Sequence, residues 1–122
     1  MPHVEGDPRA LHPGVGETWG YIRDNVLGRG VVDQALKELC FRYVHEDPAV
    51  LELERFEGRE RAALEWAHAI VWDSELATAE LWERLHAYFS EEELVDLGCA
   101  IGFELGQDHF LRTLGHGHAA DS

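Results

Sequence analysis

Basic residues are scarce in this chain: 10 Lys and Arg stand against 24 Asp and Glu, for a formal charge of −14. Nucleic acid and anionic membrane are both held by clustered Lys and Arg, so neither is an expected partner. Cysteine is limited to Cys40 and Cys99, well separated, with no Cys-x-x-Cys pair. In a reducing compartment two such thiols read as buried apolar side chains rather than a disulfide. No apolar run approaches the roughly 18 residues of a membrane span. The opening Met1-Pro-His-Val-Glu-Gly-Asp-Pro8 carries neither the basic region nor the apolar stretch of a leader, so the cytoplasm is the expected location. Strand-like alternation, internal repeats, a Gly-rich phosphate loop and a serine-nucleophile elbow are all missing.

What remains is helical periodicity in a chain of 122 residues, enough for one core and one domain. Residues 1–16 hold Pro2, Pro8, Pro13 and three glycines, which predicts an extended N-terminal arm. The helical domain is expected over 17–115, with a frayed tail over 116–122. Trp19, Ile22 and Val26 give helical spacing over about Glu17 to Leu27, ended by Gly28 and Gly30. Asp33 caps a second helix to His45, burying Leu36, Leu39, Cys40 and Tyr43 and setting Glu38, Arg42 and His45 on the other side. A loop is expected over 47–56. A third helix, from about Glu57 to Trp72, is apolar around most of its circumference, with a thin polar stripe of Arg61, Glu65 and His68. A fourth covers Thr78 to Phe89 and buries Leu81, Trp82, Leu85, Tyr88 and Phe89. Ser90-Glu-Glu-Glu93 is a capping box opening a long last helix to about Leu114, with Gly115 as its C′ residue. The fold class is all-α, a compact domain of about five helices.

The last helix holds the least expected feature. At 100° per residue, Glu104 and Asp108 fall within the apolar stripe of Leu94, Leu97, Ile101 and Leu105. Two core-facing carboxylates are costly unless partnered. Arg112, one turn on, can neutralise Asp108. Alternatively the pair forms a pocket acid with raised pKa, with His109 beside it, or a subunit contact. Glu65/His68 and Glu83/His86 are Glu-x-x-His pairs of the kind that share metals in carboxylate bundles. They occupy polar stripes in a chain rich in both residues, so no metal and no cofactor are expected. Glu38, Arg42 and His45 read as a solvated face with a Glu38–Arg42 pair. Gly98, Gly102 and Gly106 forgo about 1 kcal/mol of helix propensity each, which calls for a closely packed neighbour.

The stretch Phe56-Glu-Gly-Arg-Glu-Arg-Ala-Ala-Leu-Glu-Trp-Ala-His-Ala69, followed by Glu80-Leu-Trp82, Phe89-Ser-Glu-Glu-Glu-Leu-Val-Asp-Leu97 and Ala100-Ile-Gly-Phe103, resembles the C-terminal half of the carboxymuconolactone decarboxylase family, which includes the alkylhydroperoxidase D-like proteins. Upstream, Gly30-Val-Val-Asp33 and Leu36-Lys-Glu-Leu39 resemble the helix before that family's redox site. The resemblance implies the family's helical fold and oligomeric assembly, and it assigns Glu38 to a proton relay. Where peroxidase members carry the cysteine pair, this chain has Val50 and Leu53.

The expected function is therefore a non-redox homo-oligomer that binds a small organic molecule or performs decarboxylase- or lyase-type acid/base chemistry. The candidate residues are Glu104, Asp108, His109, Glu38 and His45. An interaction module that keeps the fold without chemistry is the alternative. A thiol peroxidase is a further one, opposed by the missing cysteine pair. The thinly striped third helix and the glycine groove predict that the third and last helices meet a second copy.

Overall fold

Five α-helices organise the computed structural model, which describes residues 6–46 and 52–115: α1 Pro13–Ile22, α2 Gln34–His45, α3 Gly58–Trp72, α4 Ala79–Tyr88 and α5 Glu91–Thr113. No strand occurs among the described residues. Helices α2, α4 and α5 start at side-chain caps, of which Asp33 and Ser90 are the two read from the sequence. Asp33 accepts from the Leu36 amide at 3.2 Å, and Thr78 from Leu81 at 3.2 Å. Ser90 and Glu93 close a reciprocal capping box, at 3.1 and 2.9 Å, satisfying two otherwise orphaned amides. At the far end of α5, Gly115 takes φ +79°, a left-handed conformation that suits glycine as a helix stop.

Helices α2, α3 and α5 pack against one another around Leu36, Cys40, Tyr43, Leu64, Leu97 and Ile101, and α4 lies on α3 through Leu81 and Leu85. Alanines 62, 63 and 67 of α3 are fully buried, so neighbouring helices come close to its backbone. Gly98 serves the same end: a Cβ there would fall 2.7 Å from Trp66 Cη2, so only glycine lets the indole seat on α5. Gly102 and Gly106, expected to share that role, face open space: a Cβ at either would meet nothing within 4 Å.

The N-terminal segment departs from the expected extended arm. Residues Pro8–Leu11 form a 3-10 turn capped by Asp7, and α1 already begins at Pro13, whose missing N–H costs nothing at a first helical position. Arg9 holds the turn down, its guanidinium 3.8 Å from the Trp19 ring and its Nη1 donating to Gln107 of α5 at 2.7 Å. Past α1 the chain continues as a π-helical turn, Arg23–Gly28, with Leu27 buried while Trp19, Ile22 and Val26 are half-buried. In the expected loop, Leu53–Arg55 make a 3-10 turn, and 47–51 lie outside the described residues, as do the arm's first five residues and the tail 116–122. On α4, Trp82 and Tyr88, expected in the core, are exposed, because α3 covers only the Leu81–Leu85 side. Leu39, also expected in the core, is half-buried.

Lysine 37 is the largest departure within the core. Its side chain is 0% exposed and donates to Val26 O at 2.9 Å, Arg29 O at 3.3 Å and Asp96 Oδ1 at 2.8 Å. Asp96 Oδ2 in turn accepts from the Val32 amide at 2.9 Å. An ammonium has three donors, and here all three are used, fastening the turn before α2 to α5. A Cβ at Gly30 would lie 2.5 Å from the Asp96 oxygens, so the pin also requires a bare backbone there.

Candidate functional site

The two carboxylates singled out on α5 do face inward, and α2 supplies what meets them. The Asp108 side chain is 1% exposed and that of Glu104 is 21% exposed. His45, in the last turn of α2, stands between them: Nε2 lies 2.9 Å from Glu104 Oε1 and Nδ1 lies 3.0 Å from Asp108 Oδ1. An ionised carboxylate can only accept, so a ring with carboxylates at both nitrogens is held as the imidazolium, donating twice. The hydrogen bond to Glu104 is the main cause that raises the His45 pKa above its ordinary value; burial opposes it, and the charges of Glu104 and Asp108 reinforce it. Arg112 Nε lies 2.9 Å from Asp108 Oδ2, an ion contact without hydrogen-bond alignment. Glu104, His45, Asp108 and Arg112 thus form an alternating chain of charges across the α2–α5 seam.

The expected Arg112–Asp108 pairing is present, and the expected solvated face of α2 holds for Glu38 and Arg42 but not for His45. His45 turns into the seam, Glu38 is exposed, and Arg42 pairs with Glu46 at 3.3 Å instead of with Glu38. His109 is exposed and joins His45, Arg112 and Glu46 around a hollow of about 230 Å³ whose apolar wall is Val44, Val71 and Trp72. Glu38 borders a separate, shallower hollow with Phe41, Arg42 and His45. The structure therefore brings Glu104, Asp108 and His45 together, sets His109 at the rim of the same region, and leaves Glu38 apart. The role of His45 as their partner has only a weak signal in the sequence: it ends the helix next to Asp47-Pro48, and nothing in the spacing tells that its ring crosses to α5.

One member of each Glu-x-x-His pair is held by another group. Glu65 takes Arg84 at 2.5 Å and lies 3.9 Å from Arg61, while His86 meets Glu91 at 2.9 Å. Among the described residues no group of three His, Cys, Asp or Glu side chains is arranged to hold a metal ion. The cysteines are both free. Cys40 is buried, and burial pushes its thiol up to about 12. Cys99, expected to be buried, is exposed, because α5 turns its Val95–Cys99–Phe103 side away from α2 and α3. No helix among the described residues is long and apolar enough to cross a membrane.

No family model, no curated protein and no solved structure matches the chain, so the resemblance to the carboxymuconolactone decarboxylase family rests on the quoted residues alone, and what the comparisons leave standing is an all-α chain with a histidine clamped between two inward-facing carboxylates.

Proposed function

We propose that the protein is a non-redox binder of a small organic molecule, held in the hollow between the ends of α2 and α3 and the last turns of α5. The observation that carries this reading is the convergence of Arg112 and His109, beside Glu46 and the clamped His45, on one apolar wall of Val44, Val71 and Trp72. Trp72 is 57% exposed, a large aromatic surface open beside the hollow. Helices α2 and α3 end beside this hollow, and α5 nears its end there, so their negative dipole ends offset much of the cationic charge. The hollow consequently offers hydrogen-bond donors more than net positive charge. Its ligand is an apolar body bearing an acceptor, a carboxylate or carbonyl oxygen. Binding is favoured over acid/base turnover because both ring nitrogens of His45 are already committed to carboxylates. The carboxymuconolactone decarboxylase-like frame is part of the proposal. Its support is the quoted motifs, the all-α architecture and the family's namesake chemistry on a small organic acid.

The test is a titration of the Trp72 indole signal by NMR with benzoate, benzamide and toluene. Benzoate and benzamide are expected to shift it saturably and toluene not. Arg112→Met is expected to weaken both about tenfold, the loss of one charge-assisted hydrogen bond. A toluene response equal to that of benzamide, or no saturable shift with any probe, would refute the site.

A second reading, assembly with another copy, is favoured by the exposed side of α5. Phe103 and Phe110 project from the same helix on which Gly102 and Gly106 leave open space. Projections and vacancies on one stripe can complement each other across a two-fold axis. Light scattering at micromolar concentration tests it. A stable monomer mass would reject assembly and leave the binding site untouched.

A further inference from the structure

A further hollow, of about 270 Å³, opens where α4 and α3 meet the N-terminal half of α5. Two of its walls are indoles: the Trp66 and Trp82 ring centroids are 5.9 Å apart and their planes stand at 67°, a corner rather than a stack. Leu94, Val95 and the bare backbone of Gly98 complete the apolar lining, with Cys99 at the edge. Trp66 is seated by its contact on Gly98, which fixes that wall against α5. Trp82 is 45% exposed, leaving much of its ring uncovered by the fold. The one ionisable group besides the thiol in the lining is Glu91, on the first turn of α5, and it is paired at 2.9 Å with His86, whose ring centroid stands 4.7 Å from that of Trp82. No Lys or Arg lines the hollow.

Charge complementarity decides the occupant. An aromatic corner presents the negative faces of its rings, and Trp is the strongest such face for a cation. A chain with a formal charge of −14 adds to that preference, whereas Glu91, balanced by His86, adds little. An anion would meet no partner here. A strongly hydrated ammonium such as that of lysine would lose its water against Leu94 and Val95 without hydrogen-bond acceptors to replace it. A cation whose charge is spread over methyl groups loses little hydration and fills an apolar corner. We propose that the Trp66–Trp82 hollow is a binding site for a small organic cation carrying methyl groups on its nitrogen, a quaternary ammonium. The site is independent of the hollow beside His45, and neither reading depends on the other.

The test uses tetramethylammonium chloride with the full chain, following the Trp66 and Trp82 indole N–H signals by NMR. Potassium chloride at the same ionic strength and tert-butanol, a neutral compound of similar shape, are the controls. Both indoles are expected to shift saturably with tetramethylammonium alone. Trp82→Leu, at a half-exposed position, is expected to weaken binding by at least about tenfold, with unchanged helical circular dichroism. Shifts that potassium chloride reproduces would overturn the proposal. So would an equal response to tert-butanol, which would mark a plain apolar hollow. Indole shifts that follow protein concentration without any probe would also overturn it, since a second copy would then be the occupant.

Discussion

Removing the proton from His45 should loosen the seam between α2 and α5, and the size of the effect follows from linkage. The ring bridges Glu104 and Asp108, and its pKa in the folded protein lies above the ordinary value near 6.5. Below about pH 6.5 the folded and unfolded chains both hold this proton, and the clamp contributes in full. Between there and the raised folded value, the folded chain keeps a proton that the unfolded chain has released. Stability therefore falls as pH rises, with a limiting slope of about 1.4 kcal/mol per pH unit for a single site. Above the folded value the contribution is gone, and one carboxylate faces a lone pair. Among the described residues, the groups facing the ring or lining the adjoining hollows include Glu104, Asp108, Arg112 and His109 from α5 and Glu38, Arg42 and Glu46 from α2 and its end. The assay is urea unfolding from about pH 6 to about pH 9, comparing the wild type with His45→Gln. His86, whose pKa is also raised, first by its bond to the Trp82 carbonyl, is replaced by Asn in both backgrounds so that its titration cancels. At the acid end His45→Gln is expected to cost about 1–3 kcal/mol, since Asp108 stays buried with Arg112 alone. It should also flatten the decline toward high pH. Equal slopes in the two proteins would refute the reasoning, whatever the absolute stabilities.

Other outcomes follow from the buried pin, the thiols and the glycines. Lys37→Met is expected to cost about 3–5 kcal/mol in urea unfolding, because Asp96 and two carbonyls lose a fully buried donor; a cost below about 1 kcal/mol would show the pin to be dispensable. A thiol reagent should modify Cys99 in the folded protein and reach Cys40 only on unfolding, and no hydroperoxide turnover sensitive to Cys40→Ser or Cys99→Ser is expected. Gly98→Ala should destabilise by about 1–3 kcal/mol, through overlap with Trp66, despite the better helix propensity of alanine. Gly102→Ala and Gly106→Ala should each stabilise the isolated chain by about 1 kcal/mol, and a drop in assembled mass with either would place that stripe at a subunit contact.

Helix positions are largely legible in the sequence because they depend on local chemistry. Asp33, Thr78 and Ser90 cap within three residues of themselves, and Gly115 stops α5 through its own φ. The N-terminal arm is not, because proline density is ambiguous: Pro13 breaks a preceding helix but opens a following one, and only Arg9 reaching Trp19 and Gln107 resolves which. The inward placement of Glu104 and Asp108 is visible as periodicity on one helix. Their partner is not, since His45 lies some sixty positions away and meets them only after α2 docks on α5. Lys37 is hidden for the same reason. A lysine beside Leu36 looks like the polar edge of an amphipathic helix until the turn before α2 folds its carbonyls over the ammonium.

Those two hidden contacts share a logic that bears on function. Lys37–Asp96 and His45–Glu104–Asp108 each join α2 to α5, one near the start of α2 and the other at its end. The first uses an ammonium whose charge persists across the physiological range, and the second a ring whose charge is lost as pH rises. Deprotonation therefore releases only the end of the seam beside the Val44–Trp72 hollow, while the Lys37 end stays fastened. A ligand that accepts hydrogen bonds from Arg112 and His109 at that end would meet a site whose rigidity depends on one proton. On this argument its affinity should decline with pH over the same window in which wild-type stability does, and His45→Gln should remove both dependences together.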